Sequence, residues 1–105
     1  MAPTTSLPLA YALTVSTTSI QVLPPNPSRR GIAFFNPGPN SIAVCPSLSN
    51  TLGATTAVVG GAGSITILPA NMLVMPPVGW PDAVATVGWN AIAGGANSPF
   101  TAFEF

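Results

Sequence analysis

Four side chains in this sequence carry a formal charge at neutral pH: Arg29, Arg30, Asp82 and Glu104, with no lysine and no histidine anywhere. Two carboxylates can run the acid–base chemistry of glycoside hydrolysis when they flank one bond. Here Asp82 follows Pro81 in a proline-rich stretch and Glu104 is the residue before the last, neither within a polar cluster. Ion pairing is therefore the expected role of both. A guanidinium suits a carboxylate partner, because its planar fork can donate two parallel bonds and is less costly to desolvate than an ammonium. One of Arg29 and Arg30 is expected to hold Asp82 or Glu104, tying the proline-rich connector before it to a sheet. The other is expected to pair with a partner subunit or an acidic patch on another protein, or to stay solvated.

The remaining reactive groups point away from catalysis. Cys45 is the single cysteine, so no intrachain disulfide can form. It sits in the apolar run 41–45 and reads as a buried small hydrophobe, and there is no histidine to activate it as a nucleophile. Gly60-Gly61-Ala62-Gly63-Ser64 looks like a phosphate cradle, but a P-loop needs a lysine and a following helix. Without histidine, paired cysteine or clustered carboxylates, no metal site and no cofactor are expected. No catalytic residue is assigned.

Composition narrows the class further. Charged residues make up 4% of the 105 residues and hydrophobic ones 48%, at zero formal net charge. Two cations give no electrostatic footprint for nucleic acid and no polybasic membrane surface. Mean hydropathy is +0.55, which is opposite to the balance of a disordered chain. A membrane-spanning helix is not expected either. The uncharged stretch 31–81 is broken by Pro37, Pro39, Pro46, Pro69, Pro76 and Pro77, and no window reaches the roughly 20 mainly apolar residues of a span. The apolar run 7–13 has no preceding cation, so it does not read as a cleaved signal.

The elements that must position these residues are short. Runs rich in Val, Ile, Thr and Phe recur about every ten residues between Pro and Gly clusters, and none shows helical periodicity. Expected strands cover 12–16, 19–23, 31–36, 41–45, 55–59, 64–68, 72–75, 84–92 and 100–105. The fold class is thus all-β: a single antiparallel β-sandwich, jelly-roll-like, of eight or nine short strands. Residues 1–11, with Pro3 and Pro8, read as an extended N-terminal arm lying on an adjacent subunit, and 12–105 as the sandwich domain. Asn36-Pro37-Gly38-Pro39-Asn40 reads as a hairpin turn, with Pro37 presetting φ and Gly38 taking the positive φ of a type II turn. Strand alternation puts Phe103 and Phe105 on one face, anchoring the chain end, and Phe100, Ala102 and Glu104 on the other. Phe34 and Phe35 face opposite ways. Phe35 and Trp80 are accordingly candidates for a subunit interface, where aromatic residues are enriched, or else for cover by an adjacent loop.

The stretch from Leu23-Pro24-Pro25-Asn26-Pro27-Ser28-Arg29-Arg30 through Gly31–Asn40 to Ser41-Ile42-Ala43-Val44 resembles a motif of small β-sandwich structural proteins of tailed bacteriophages. In that family an Asn-Pro-x-Arg connector leads into an apolar strand ending in Asn, then a tight turn and an Ile/Val-x-Val strand. Ile67-Leu68-Pro69 matches the family's later apolar-x-Pro turn. The resemblance covers residues 14–75. Pro69-Ala70-Asn71, where Pro-Gly is commoner, and the proline-rich 75–81 depart from it.

What the resemblance implies is a non-enzymatic virion protein on the capsid exterior, a capsid decoration (cement) protein bridging major capsid subunits, with self-association as a homotrimer at three-fold positions. A surface with so few charges lacks the repulsion that keeps free monomers apart, which suits a protein packed against neighbours. The alternative within the same class is a receptor-binding or fibre/spike-base module. A third reading is a carbohydrate-binding sandwich with Trp80 and Trp89 as a stacking platform.

Overall fold

The computed structural model describes residues 9–47, 57–61 and 64–105. Among these are eight strands: β1 (Leu9–Val15), β2 (Ile20–Leu23), β3 (Ile32–Asn36), β4 (Ile42–Ser47), β5 (Ile65–Ile67), β6 (Asn71–Met75), β7 (Gly88–Ala93) and β8 (Ser98–Glu104). A single 3-10 turn, Asp82–Ala85, interrupts them. No helix among the described residues is long and apolar enough to cross a membrane.

The strands form two antiparallel four-stranded sheets, ordered β1-β8-β3-β6 and β2-β7-β4-β5. Pairing is nested: β1 with β8, β2 with β7, β3 with β6 and β4 with β5. The chain is in effect one long antiparallel hairpin folded at β4–β5 and rolled so that its halves become two facing sheets. That is the jelly-roll topology. All the sequential connections except β4–β5 cross from one sheet to the other.

Alternation along each strand selects what is buried. Ile32 and Phe34 of β3, Phe100 and Ala102 of β8, and Trp89, Ala91 and Ala93 of β7 point inward and are buried. Phe34 organises this core. Its ring stacks on Phe100 at 5.5 Å and 8°, and meets Trp89 edge-on at 5.6 Å and 61°. Both are favoured arrangements for aromatic quadrupoles.

Several local expectations change in the structure. The segment 36–40 is not a hairpin turn, because β3 and β4 lie in different sheets. It is an arch across the end of the sandwich. Gly38 has the expected positive φ of 94°, but Pro37 and Pro39 have no N–H with which to continue a ladder. The arch is held instead by Asn36, which is fully buried. Its Nδ2 donates to the carbonyls of Asn40 and Ile67, each at 2.8 Å, and its Oδ1 accepts from the Gly38 N–H at 2.9 Å.

The expected strand 84–92 starts only at Gly88, because Asp82–Ala85 is wound into the 3-10 turn. Thr86 seals that turn, donating its backbone N–H and its hydroxyl to the Ala83 carbonyl. The expected strand 55–59 lies partly outside the described residues. Its described part, Ala57–Val59, enters a turn closed by Gly61 N–H on the Val58 carbonyl. Of the expected arm 1–11, residues 9–11 belong to β1, and the rest lies outside the described residues.

Candidate interaction surface and buried ion pair

Glu104 stands where the alternation of β8 brings it inside. Phe100, Ala102 and Glu104 form the buried face, while Phe103 is half-buried and Phe105 exposed. The expectation that Phe103 and Phe105 are the anchoring face is therefore reversed. The parity was right, but the register of β8 between β1 and β3 turns the other set toward the core.

Arg29 enters the same end of the sandwich from the connector between β2 and β3. Its Nε lies 3.3 Å from Glu104 Oε2, and the two side chains are 1% and 8% exposed. The other nitrogens donate to three carbonyls: Nη1 to Ala85 at 2.9 Å and Val87 at 3.1 Å, and Nη2 to Pro24 at 2.7 Å. Glu104 accepts two further bonds, from Tyr11 OH at 2.7 Å and from Asn26 Nδ2 at 3.2 Å. One buried ion pair thus joins β1, β8, the proline-rich connector and the 3-10 turn. Burial works to raise the Glu104 pKa, but the bonds from Tyr11 and Asn26 and the Arg29 charge outweigh it, and the carboxyl is held below its usual range. The same bond to Glu104, helped by burial, raises the Tyr11 phenol.

The other candidates are placed apart. Arg30 is exposed, and its backbone N–H, with that of Gly31, donates to the Phe105 carbonyl at 2.7 and 2.8 Å. Asp82 opens the 3-10 turn, and its side chain lies outside the described residues. Among the described residues Arg29–Glu104 is the one salt bridge. Cys45 is buried, and burial, opposed by a hydrogen bond with Asn90, pushes its thiol pKa up. Sequence reasoning missed Tyr11, Asn26 and Asn36. Their signal was weak: a polar group beside proline or at the end of an apolar run.

The two outward sheet faces differ. Ala43 and Cys45 of β4 point outward yet are buried. The segment Ala57–Gly60 is tied to this sheet by its backbone N–H groups, Ala57 donating to Ser19, Val58 to Ser64 and Gly60 to Thr66. The first sheet presents Ala33 and Phe35 of β3, Thr101 and Phe103 of β8, and Met72 and Val74 of β6, flanked by Ala10, Ala12 and Thr14 of β1. This face carries no charged residue. Phe35 is half-buried there, beside Met72 and Thr101.

Trp80 occupies a different place, 51% exposed, at the wall of an apolar cavity of ≈ 460 Å³ whose lining includes Ile65, Val84, Val87 and Trp89. Trp89 is 1% exposed, and its indole N–H is taken by the Val84 carbonyl at 3.2 Å. The two tryptophans therefore do not form an open stacking platform. Among the described residues no group of three or more His, Cys, Asp and Glu lies together. Compared with models of protein families, with curated proteins and with solved structures, the chain matches none.

Proposed function

We propose that this chain is a non-enzymatic structural protein of a tailed-phage virion, of the capsid decoration (cement) type, which docks on major capsid subunits on the capsid exterior. The observation that carries this reading is the uncharged outward face of the first sheet. Contiguous exposed apolar surface on a folded domain marks a protein contact site, and the rings of Phe35 and Phe103 supply rigid area at its centre. The jelly-roll topology and the connector motif at 23–44 support the same reading. The homotrimer at three-fold positions is the assembly that the resemblance implies.

Docking through an uncharged face depends little on ionic strength, because there are few charge pairs to screen. Capsids lacking the protein, mixed with the purified chain and sedimented in 0.1 M and 1 M salt (roughly the range over which screening becomes complete), test this directly. The chain is expected to pellet with capsids in both and to raise their melting temperature, whereas Phe35→Asp stays in the supernatant with an unchanged circular dichroism spectrum. A wild-type chain that remains soluble, or a Phe35→Asp variant that binds equally well, overturns the reading.

A receptor-binding or fibre-base module is the second reading, and the half-exposed Trp80 beside its apolar cavity favours it. It predicts that Trp80→Ala abolishes attachment to host cells while leaving capsid binding intact.

A further inference from the structure

The 3-10 turn and the two residues after it form a wall whose backbone acceptors are all occupied. The Ala83 carbonyl takes the Thr86 N–H and hydroxyl, and the Val84 carbonyl takes the Trp89 indole N–H. Arg29 Nη1 donates to the carbonyls of Ala85 and Val87, and the Asn26 N–H donates to that of Thr86 at 2.8 Å. Consecutive carbonyls from 83 to 87 are thus engaged, two of them by a guanidinium that Glu104 holds in turn. A wall fixed before any ligand arrives leaves little ordering to oppose binding.

The space beside that wall is apolar. The cavity of ≈ 460 Å³ falls within the roughly 300–1,000 Å³ of small-molecule sites, and its described lining carries no charged residue. Ile65, Val84 and Val87 are half-buried there, and Trp80 is 51% exposed. Water in this space finds few partners, because the carbonyls of the wall are spent. Water held by few hydrogen bonds is displaced with a gain by an apolar group. The Ser64 hydroxyl is left to bond a ligand: its oxygen accepts the Val58 N–H at 3.0 Å, and it keeps a proton to donate.

We propose that this cavity is a binding site for an uncharged aromatic small molecule bearing one hydrogen-bond acceptor. Each part of that description follows from the lining. A charge would be buried without a partner. A saccharide would bring several hydroxyls to a wall whose carbonyls are already bonded, and would leave them unpaired. An aromatic ring gains from the exposed Trp80 indole beyond the area it buries. A single acceptor on that ring meets the Ser64 hydroxyl. The site rests on neither reading of the virion role.

Titrating the full chain over roughly 1 μM to 1 mM, the span of weak affinities, into a trace of propionyl(dimethylamino)naphthalene is the test. This probe is an uncharged naphthyl ketone whose emission moves to the blue in an apolar site. Wild type is expected to give a saturable blue shift that acetylnaphthalene reverses and glucose does not. Trp80→Ala and Ala83→Trp, both at exposed positions on the lining, are each expected to weaken binding at least about tenfold (about 1.4 kcal/mol) with unchanged melting temperature. The first removes the exposed ring, and the second fills the space. On wild type, acetylnaphthalene is expected to compete better than naphthalene, and Ser64→Ala to remove that difference. No saturable shift, a shift that glucose reverses, or variants at Trp80 and Ala83 that bind the probe like wild type overturn the proposal. Equal competition by the two naphthalenes on wild type overturns the assignment of an acceptor to the ligand.

Discussion

Replacing Glu104 with glutamine removes one charge and almost no volume, and the structure says what is left behind. Arg29 is 3% exposed, and its remaining partners are the carbonyls of Ala85, Val87 and Pro24. Those dipoles satisfy its protons but do not neutralise it. Breaking a buried pair on one side strands the other charge and costs roughly 3–5 kcal/mol, against about 0–1 kcal/mol for an exposed pair. For Glu104→Gln we take the lower end, about 3 kcal/mol, because glutamine still accepts the Tyr11 hydrogen bond. A domain of this size loses roughly 4–8 °C of Tm per kcal/mol, so the fall is roughly 12–24 °C. Urea unfolding followed by tryptophan fluorescence measures it, with Arg29→Met and the double variant closing a thermodynamic cycle. The double variant is expected to cost less than the sum of the singles by about 2 kcal/mol or more. The effect of Glu104→Gln is also expected to shrink on acidification and to vanish once pH has fallen through the depressed folded pKa of Glu104, where the wild-type carboxyl is protonated too. A loss below about 1 kcal/mol at pH 7, or a gap between the two proteins that persists at low pH, refutes the account of a buried, compensated ion pair.

The pH dependence of the wild type follows from the same groups. Glu104 has a depressed folded pKa, so its contribution is complete above the unfolded value of about 4.3 and is lost as pH falls through the folded one. Tyr11 and Cys45 are raised, so their contributions are complete below their unfolded values, about 8.5 for the thiol, and are lost as pH rises through the folded ones. Stability measured by denaturant is therefore expected to be flat between about pH 5 and about pH 8. A swing of more than about 1 kcal/mol inside that window would contradict it. Asn36→Ala leaves the carbonyls of Asn40 and Ile67 and the N–H of Gly38 without their partner, and is expected to cost about 3 kcal/mol by urea unfolding. Gly38→Ala forces a side chain into φ +94° with its Cβ 3.2 Å from Pro69 Cβ, for an expected loss of roughly 1–2 kcal/mol. If either variant unfolds at the wild-type midpoint, the arch is not held as described.

Much of the fold was legible in local patterning. Short β-branched and aromatic runs between proline and glycine clusters announced an all-β sandwich, because period-two alternation and turn chemistry are properties of neighbouring residues. The absence of histidine and lysine was likewise a matter of composition. Pairing was not legible. The turn at 36–40 has the same local chemistry whether it closes a hairpin or arches between sheets, and only the nested partners of β3 and β4 distinguish the two. In the same way, alternation fixed that Glu104 and Phe105 face opposite ways, but not which face is inside. That depended on β8 lying between β1 and β3, which turned the carboxylate inward to a guanidinium delivered from 75 residues earlier. The sequence by itself thus determined which residues were scarce enough to matter, since four charges were countable at once. Tertiary structure alone decided that two of them meet in the interior and that one uncharged sheet face points outward. Long-range pairing is set by the sum of all contacts, whereas the pattern of a strand is set by its own residues.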